Sequence, residues 1–176
     1  MGTRTLRRVA AAGACAVVLG LAPAGVAMET AEAAGCSVTW GSLPEVDRTF
    51  TPNDIEDVRT GRHACFDRLV LDLDRRGVGY DVRYGTVHAP GSGFVVPLRG
   101  AADIEVDVAA WGRSFRVGDL ADVSGYDTFR QVRFAGTFEG RTTIGLGVRA
   151  RLPMRVFELD GPGTGSRLVI DVAHRW

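Results

Sequence analysis

Arg68-Leu69-Val70-Leu71-Asp72-Leu73 returns near the other end of the chain as Arg167-Leu168-Val169-Ile170-Asp171-Val172. In both copies aliphatic residues alternate with Arg, Val and Asp, the period of two of a half-buried strand. Leu69, Leu71 and Leu73 form one apolar row, and Leu168, Ile170 and Val172 form another. Each copy sets an Arg four residues before an Asp, on the row turned away from the apolar one. Two matching strands therefore bracket one domain, and the repeat speaks to architecture rather than to chemistry.

Outward from these copies, strand patterns alternate with turn signals. Residues 55–59, 66–73, 78–84, 103–108, 129–138, 142–149, 154–159 and 166–172 read as strands. Gly77 and Gly79, the run Ala89-Pro90-Gly91-Ser92-Gly93, Glu139-Gly140 and Gly161-Pro162-Gly163-Thr164-Gly165 read as the breaks between them. Gly145 and Gly147, inside a strand, suggest a close backbone approach or a bulge. Residues 110–128, with Gly112, Gly118 and Gly125, form the longest irregular stretch, with room for short helical turns. No segment has a convincing helical period. The expected fold is all-β, a small antiparallel β-sandwich of about eight short strands.

The beginning of the chain has the three parts of a secretory leader: Arg4, Arg7 and Arg8, an apolar run over residues 9–22, then small residues suited to cleavage. The run is shorter than the roughly 20 residues a bilayer span needs, and nothing later approaches that length. The expected organisation is a signal peptide over 1–33 with cleavage between 24 and 34, an extended segment over 35–52 and one domain over 53–176. The mature chain is expected outside the cytoplasm, with no membrane span.

All 21 basic residues are Arg, balanced by 21 acids, which points to a GC-rich coding bias. Loss of the leader leaves the chain near neutrality, so no basic excess exists to attract nucleic acid or an anionic membrane. Cys15 leaves with the leader, and Cys36 and Cys65 remain as one pair for an oxidising compartment. Two other readings stand beside the disulfide. Ala33-Ala34-Gly35-Cys36 is an imperfect lipobox that would lipidate Cys36, and His63 with Cys65 offers two metal ligands.

No catalytic set is visible. No serine has the Gly-x-Ser-x-Gly frame of a nucleophile elbow, and His63, His88 and His174 lack metal-ligand spacing. The Gly161–Ser166 run lacks the Lys and helix of a phosphate loop. No cofactor or metal is expected. Arg68 and Arg167 read first as cross-strand ion pairs with Asp and second as guanidinium forks for ligand carboxylates, such as those of peptidoglycan stem peptides. Among the aromatics, Trp111 in the irregular stretch is the candidate for stacking on a sugar ring.

His63-Ala64-Cys65-Phe66-Asp67-Arg68-Leu69-Val70, Gly79-Tyr80-Asp81-Val82-Arg83-Tyr84, Gly136-Thr137-Phe138-Glu139-Gly140 with Ile144-Gly145-Leu146-Gly147, and Ser166-Arg167-Leu168-Val169-Ile170-Asp171-Val172 occur in that order. The series resembles the AMIN-like domain, found in secreted actinobacterial relatives of the AMIN module of cell-wall amidases and secretins. The resemblance covers roughly residues 53–174. It implies a small β-sandwich without catalysis of its own, and binding or localisation at the envelope, with peptidoglycan or another wall component as partner. A protein adaptor that docks by strand addition is the alternative, and an unrecognised wall hydrolase a more distant one. The resemblance itself assigns no ligand residues and no oligomeric state.

Overall fold

The computed structural model describes residues 35–176, and the leader assigned to 1–33 lies outside the described residues. Among the described residues eleven strands follow one another: β1 (Glu45–Asp47), β2 (Asn53–Arg62), β3 (Phe66–Leu73), β4 (Tyr80–Tyr84), β5 (Ala102–Val108), β6 (Ala110–Trp111), β7 (Gly118–Ala121), β8 (Phe129–Phe138), β9 (Arg141–Val148), β10 (Met154–Asp160) and β11 (Ser166–Ala173). They form a six-stranded sheet, β1-β4-β5-β9-β8-β7, and a five-stranded sheet, β10-β11-β3-β2-β6. Among the described residues there is no helix, and none long and apolar enough to cross a membrane.

The two repeat copies are neighbours. β3 and β11 pair antiparallel with Val70 opposite Val169, so Arg68 faces Asp171 and Arg167 faces Asp72. Both apolar rows then point the same way. Leu69, Leu71, Leu168 and Ile170 are fully buried against Ile104, Val106, Ile144 and Leu146 from β5 and β9 of the other sheet. Burial of such side chains contributes roughly 1.5–3 kcal/mol each, which is why the period-two pattern decides the fold.

The eight expected strands are present, and three short ones join them. Residues 110–128, expected to be irregular, hold β6 and β7, because β6 pairs in parallel with Asn53 and Asp54 of β2 and β7 pairs with β8. β1 lies within the segment expected to be merely extended and pairs with β4. The β8–β9 hairpin turns at Glu139 and Gly140, both at positive φ (49° and 79°), the signature of a two-residue type I′ turn. A Cβ at Gly147 would overlap the Arg99 carbonyl, and one at Gly145 would lie 2.9 Å from Leu98. The connection between β4 and β5 therefore crosses the outer face of the six-stranded sheet. It is fastened there by Arg99 N–H to Gln131 and by His88 N–H to Glu105.

Cys36 and Cys65 form a disulfide. That removes the free thiols a lipidated Cys36 or a His63–Cys65 metal site would need. The bridge ties the lead-in to the β2–β3 turn, and Gly41 C=O then accepts from Met154 N–H at the start of β10 before the chain reaches β1 in the opposite sheet. Residues 36–47 thus strap the two sheets together. Asp67 adds a buried tie between the sheets, accepting from the Thr128 and Phe129 amides at 2.6 and 3.0 Å where β8 begins.

The bridge closes a loop of 29 residues. Replacing both cysteines by Ser is expected to lower stability by about 3–4 kcal/mol on the chain-entropy account. Denaturant unfolding of oxidised, reduced and double-Ser protein checks this, alongside an intact-mass gain of two hydrogens on reduction.

Candidate binding face

The side chains that alternate with the core rows line the outer face of the five-stranded sheet. Strand register arranges them in rungs. Arg155, Asp171 and Arg68 form one; Phe157, Val169, Val70 and Arg59 the next; Leu159, Arg167, Asp72 and Asp57 the third.

In the first rung Asp171 is fully buried between two guanidinium groups. Arg68 donates Nε and one terminal nitrogen to it at 2.6 and 2.9 Å, and Arg155 donates Nε at 2.9 Å. The Asp171 contact pushes the Arg68 pKa up from its already high value. Both cations also sit against aromatic rings. The Arg155 guanidinium lies 4.2 Å from the Trp40 ring centre and 4.9 Å from that of Phe157, and Arg68 lies 5.1 Å from Phe66. Trp40 meets Phe66 edge-on at 5.7 Å, and the His63 ring stacks on Phe66 at 4.5 Å. The disulfide explains the arrangement: Cys36 precedes Trp40 by four residues and Cys65 adjoins Phe66, so the bridge seats Trp40 on the sheet. The product is a platform of half-buried aromatic faces interleaved with guanidinium groups, suited to flat, polar-edged ligands and to carboxylates.

The third rung behaves differently. Asp72 stands between Arg167 and Asp57, and its carboxylate is forked by Arg59, which donates Nε and Nη2 at 2.6 Å each. Arg167 donates only to the Asp160 carbonyl at 3.1 Å, and its Nε is buried without an acceptor. It borders a groove of about 680 Å³.

Arg68 therefore takes the cross-strand pairing expected of it, and Arg167 does not. The two lie four residues apart along the ladder, about 13 Å at the rise of a strand. Trp111 is not brought to either of them. It sits on β6 at the opposite edge from β10, half-buried, with Arg113 4.6 Å from its ring centre and Gly140 packed against the indole. The histidines are dispersed as well, His63 on Phe66, His88 3.8 Å from Glu105 and His174 3.1 Å from Asp67. Among the described residues Asp67, Asp127 and His174 are the group with metal-ligand proximity. Asp67 Oδ2 accepts from two backbone amides while its Oδ1 faces His174 Nε2, and Asp127 Oδ2 accepts from Arg62. Sequence reasoning missed Trp40, Phe66, Arg155 and Phe157 as a set. The alternation of Arg155, Phe157 and Leu159 places them on one face, but that β10 borders β11 is a tertiary fact.

These features define a class: an all-β sandwich whose six-stranded sheet is covered outside by its own chain and whose five-stranded sheet keeps an open aromatic and arginine face. The chain belongs to the AMIN-like domain family, whose family model matches residues 53–174. Among curated proteins none matched it. The match begins at β2, so Cys36, Trp40 and β1 lie outside the matched residues.

Two outcomes follow from these charges. Asp171→Ala leaves two guanidinium groups short of their acceptor and is expected to cost about 1–3 kcal/mol in urea unfolding. In acid the signs mostly agree. Asp119 is held low by Gln131 and Arg99, Asp127 by Arg62, Asp122 by Ser124 and Asp47 by Thr49, whereas burial raises Asp103. A depressed carboxylate stabilises the fold fully above its unfolded value of 3.8 and loses that contribution as pH falls through its folded value. Asp103 acts in the opposite sense. With four groups against one, thermal melts should hold steady from neutrality to about pH 5 and drop below about pH 4.

Proposed function

We propose that this protein is a secreted, non-catalytic module of the cell envelope that binds peptidoglycan on the outer face of its five-stranded sheet. The observation that carries the reading is the contrast between the two sheets. The connection over residues 85–101 crosses the outer face of one, whereas the other presents half-buried Trp40, Phe66 and Phe157 among Arg68 and Arg155. Aromatic faces suit the apolar side of sugar rings, and guanidinium groups suit the carboxylates of stem peptides. Family membership and the disulfide agree with an extracytoplasmic setting. The leader read over residues 1–33 supplies the route.

A second reading has an observation of its own. β10 ends the five-stranded sheet with seven residues, its pairing to β11 has no register shift and it contains no Pro, so its outer edge is a template for an added strand. Crosslinking in cells that recovers one protein and no glycan would favour this adaptor role.

Sedimentation with purified sacculi decides between them. Retention of the folded protein is expected, reduced about tenfold in the pair Trp40→Ala and Phe157→Ala, the scale of losing one to two stacked rings. No retention at low salt would overturn the proposal, as would release of soluble wall fragments by the protein itself.

A further inference from the structure

The groove beside Arg167 has an architecture distinct from the aromatic platform. Its floor is the end of β3 and the start of β11, with Asp72, Leu73, Ser166 and Arg167. One wall is β2, where the register shifts between Ile55 and Asp57 and leaves Glu56 as the extra residue of a bulge. Bulges re-aim side chains and recur beside functional sites. The other wall is the β10–β11 turn over residues 162–165, held down because a Cβ at Gly165 would overlap the Leu73 carbonyl.

The charges in the groove do not cancel in place. Arg59 and Asp72 satisfy each other, and Asp74 accepts from Asp54 N–H at 2.7 Å and lies 3.4 Å from Arg75. Three groups are left over. Glu56 has no hydrogen bond or ion pair among the described residues, and Asp57, exposed, reaches only its neighbour's Val58 N–H and Arg59 at 4.0 Å. Across from them Arg167 has no carboxylate, its Nε lacks any acceptor, and the Gly163 and Thr164 amides of the turn make no hydrogen bond. Acid stands on one wall, with a cation and free amide donors on the floor and the opposite wall.

We propose that this groove binds a zwitterion, a small ligand bearing an ammonium and a carboxylate, such as the free α-amino-acid end of a diamino-diacid in a wall stem peptide. The choice of ligand rests on the peptidoglycan reading above and deepens it. The ammonium sits with Glu56 and Asp57, and the carboxylate is forked by Arg167 with the Gly163 and Thr164 amides beside it. Turning the guanidinium toward that carboxylate gives Nε the acceptor it lacks, and an unmet donor on a charged group is costly to leave. The groove volume falls within the range of small-ligand sites.

Titration of the protein with meso-2,6-diaminopimelate, followed by amide and Arg Nε–H NMR shifts, tests this directly. Pimelate (carboxylates only) and 1,5-diaminopentane (amines only) are the controls. The diamino-diacid is expected to shift the Gly163, Thr164 and Arg167 signals and to bind about tenfold more tightly than either control, the worth of one added charge-assisted contact. Arg167→Gln should lose about tenfold, and Glu56→Gln, a change at an exposed residue without partners, several-fold. Equal binding of either control, no shifts at millimolar ligand, or unchanged affinity in Arg167→Gln with an unaltered melting curve would overturn the proposal. Retention on sacculi without diaminopimelate binding would sink the groove and leave the sheet face standing. Diaminopimelate binding without retention would do the reverse.

Discussion

Two copies of one six-residue pattern, run antiparallel beside each other, place every Arg opposite an Asp and both rows Leu69-Leu71-Leu73 and Leu168-Ile170-Val172 on the same side. That single pairing, β3 with β11, organises the five-stranded sheet. Local two-fold symmetry would make two equal ion pairs of it, but the flanking strands differ. β10 brings Arg155 to Asp171, which then serves two cations, while β2 brings Arg59 to Asp72 and draws that carboxylate away from Arg167. The platform grows from the rung with a surplus of cations sharing one buried anion. The groove grows from the rung whose cation is left over.

The inward side of the same ladder is ordinary: aliphatic rows from two sheets, fully buried, with Asp67 as a polar exception whose Oδ2 accepts two backbone amides and whose Oδ1 faces His174 Nε2. A buried carboxylate tolerates this position because donors meet it there. The disulfide acts on the outside. It holds a lead-in with little apolar surface against the sheet and delivers Trp40 to Phe66 and Arg155. One crosslink thus serves stability and builds part of the face.

Legibility followed strand length. The strands that bury alternate side chains over five residues or more could be read from period-two alternation, because that pattern is the physical cause of their burial. β1, β6 and β7, with three, two and four residues, could not, since their extended backbone is imposed by the partner strand. Gly145 and Gly147 were readable as a place of close approach, but not what approaches, which is Leu98 and Arg99. Arg68 could be paired with an Asp from the repeat alone. The failure of Arg167 to do likewise depends on Arg59, whose reach across β2 has no sequence signal.

By itself the sequence determined the strand class of this protein and which faces of its main strands are apolar, because alternation acts locally, and it offered Cys36 and Cys65 as a pair that only the structure showed to be bonded. Only the tertiary structure decided that the repeat copies touch, that one sheet face is covered and the other open, and that one arginine lacks its acid. Those outcomes depend on which strands become neighbours, and neighbours in a sheet are chosen by the burial of the whole core rather than by any one segment.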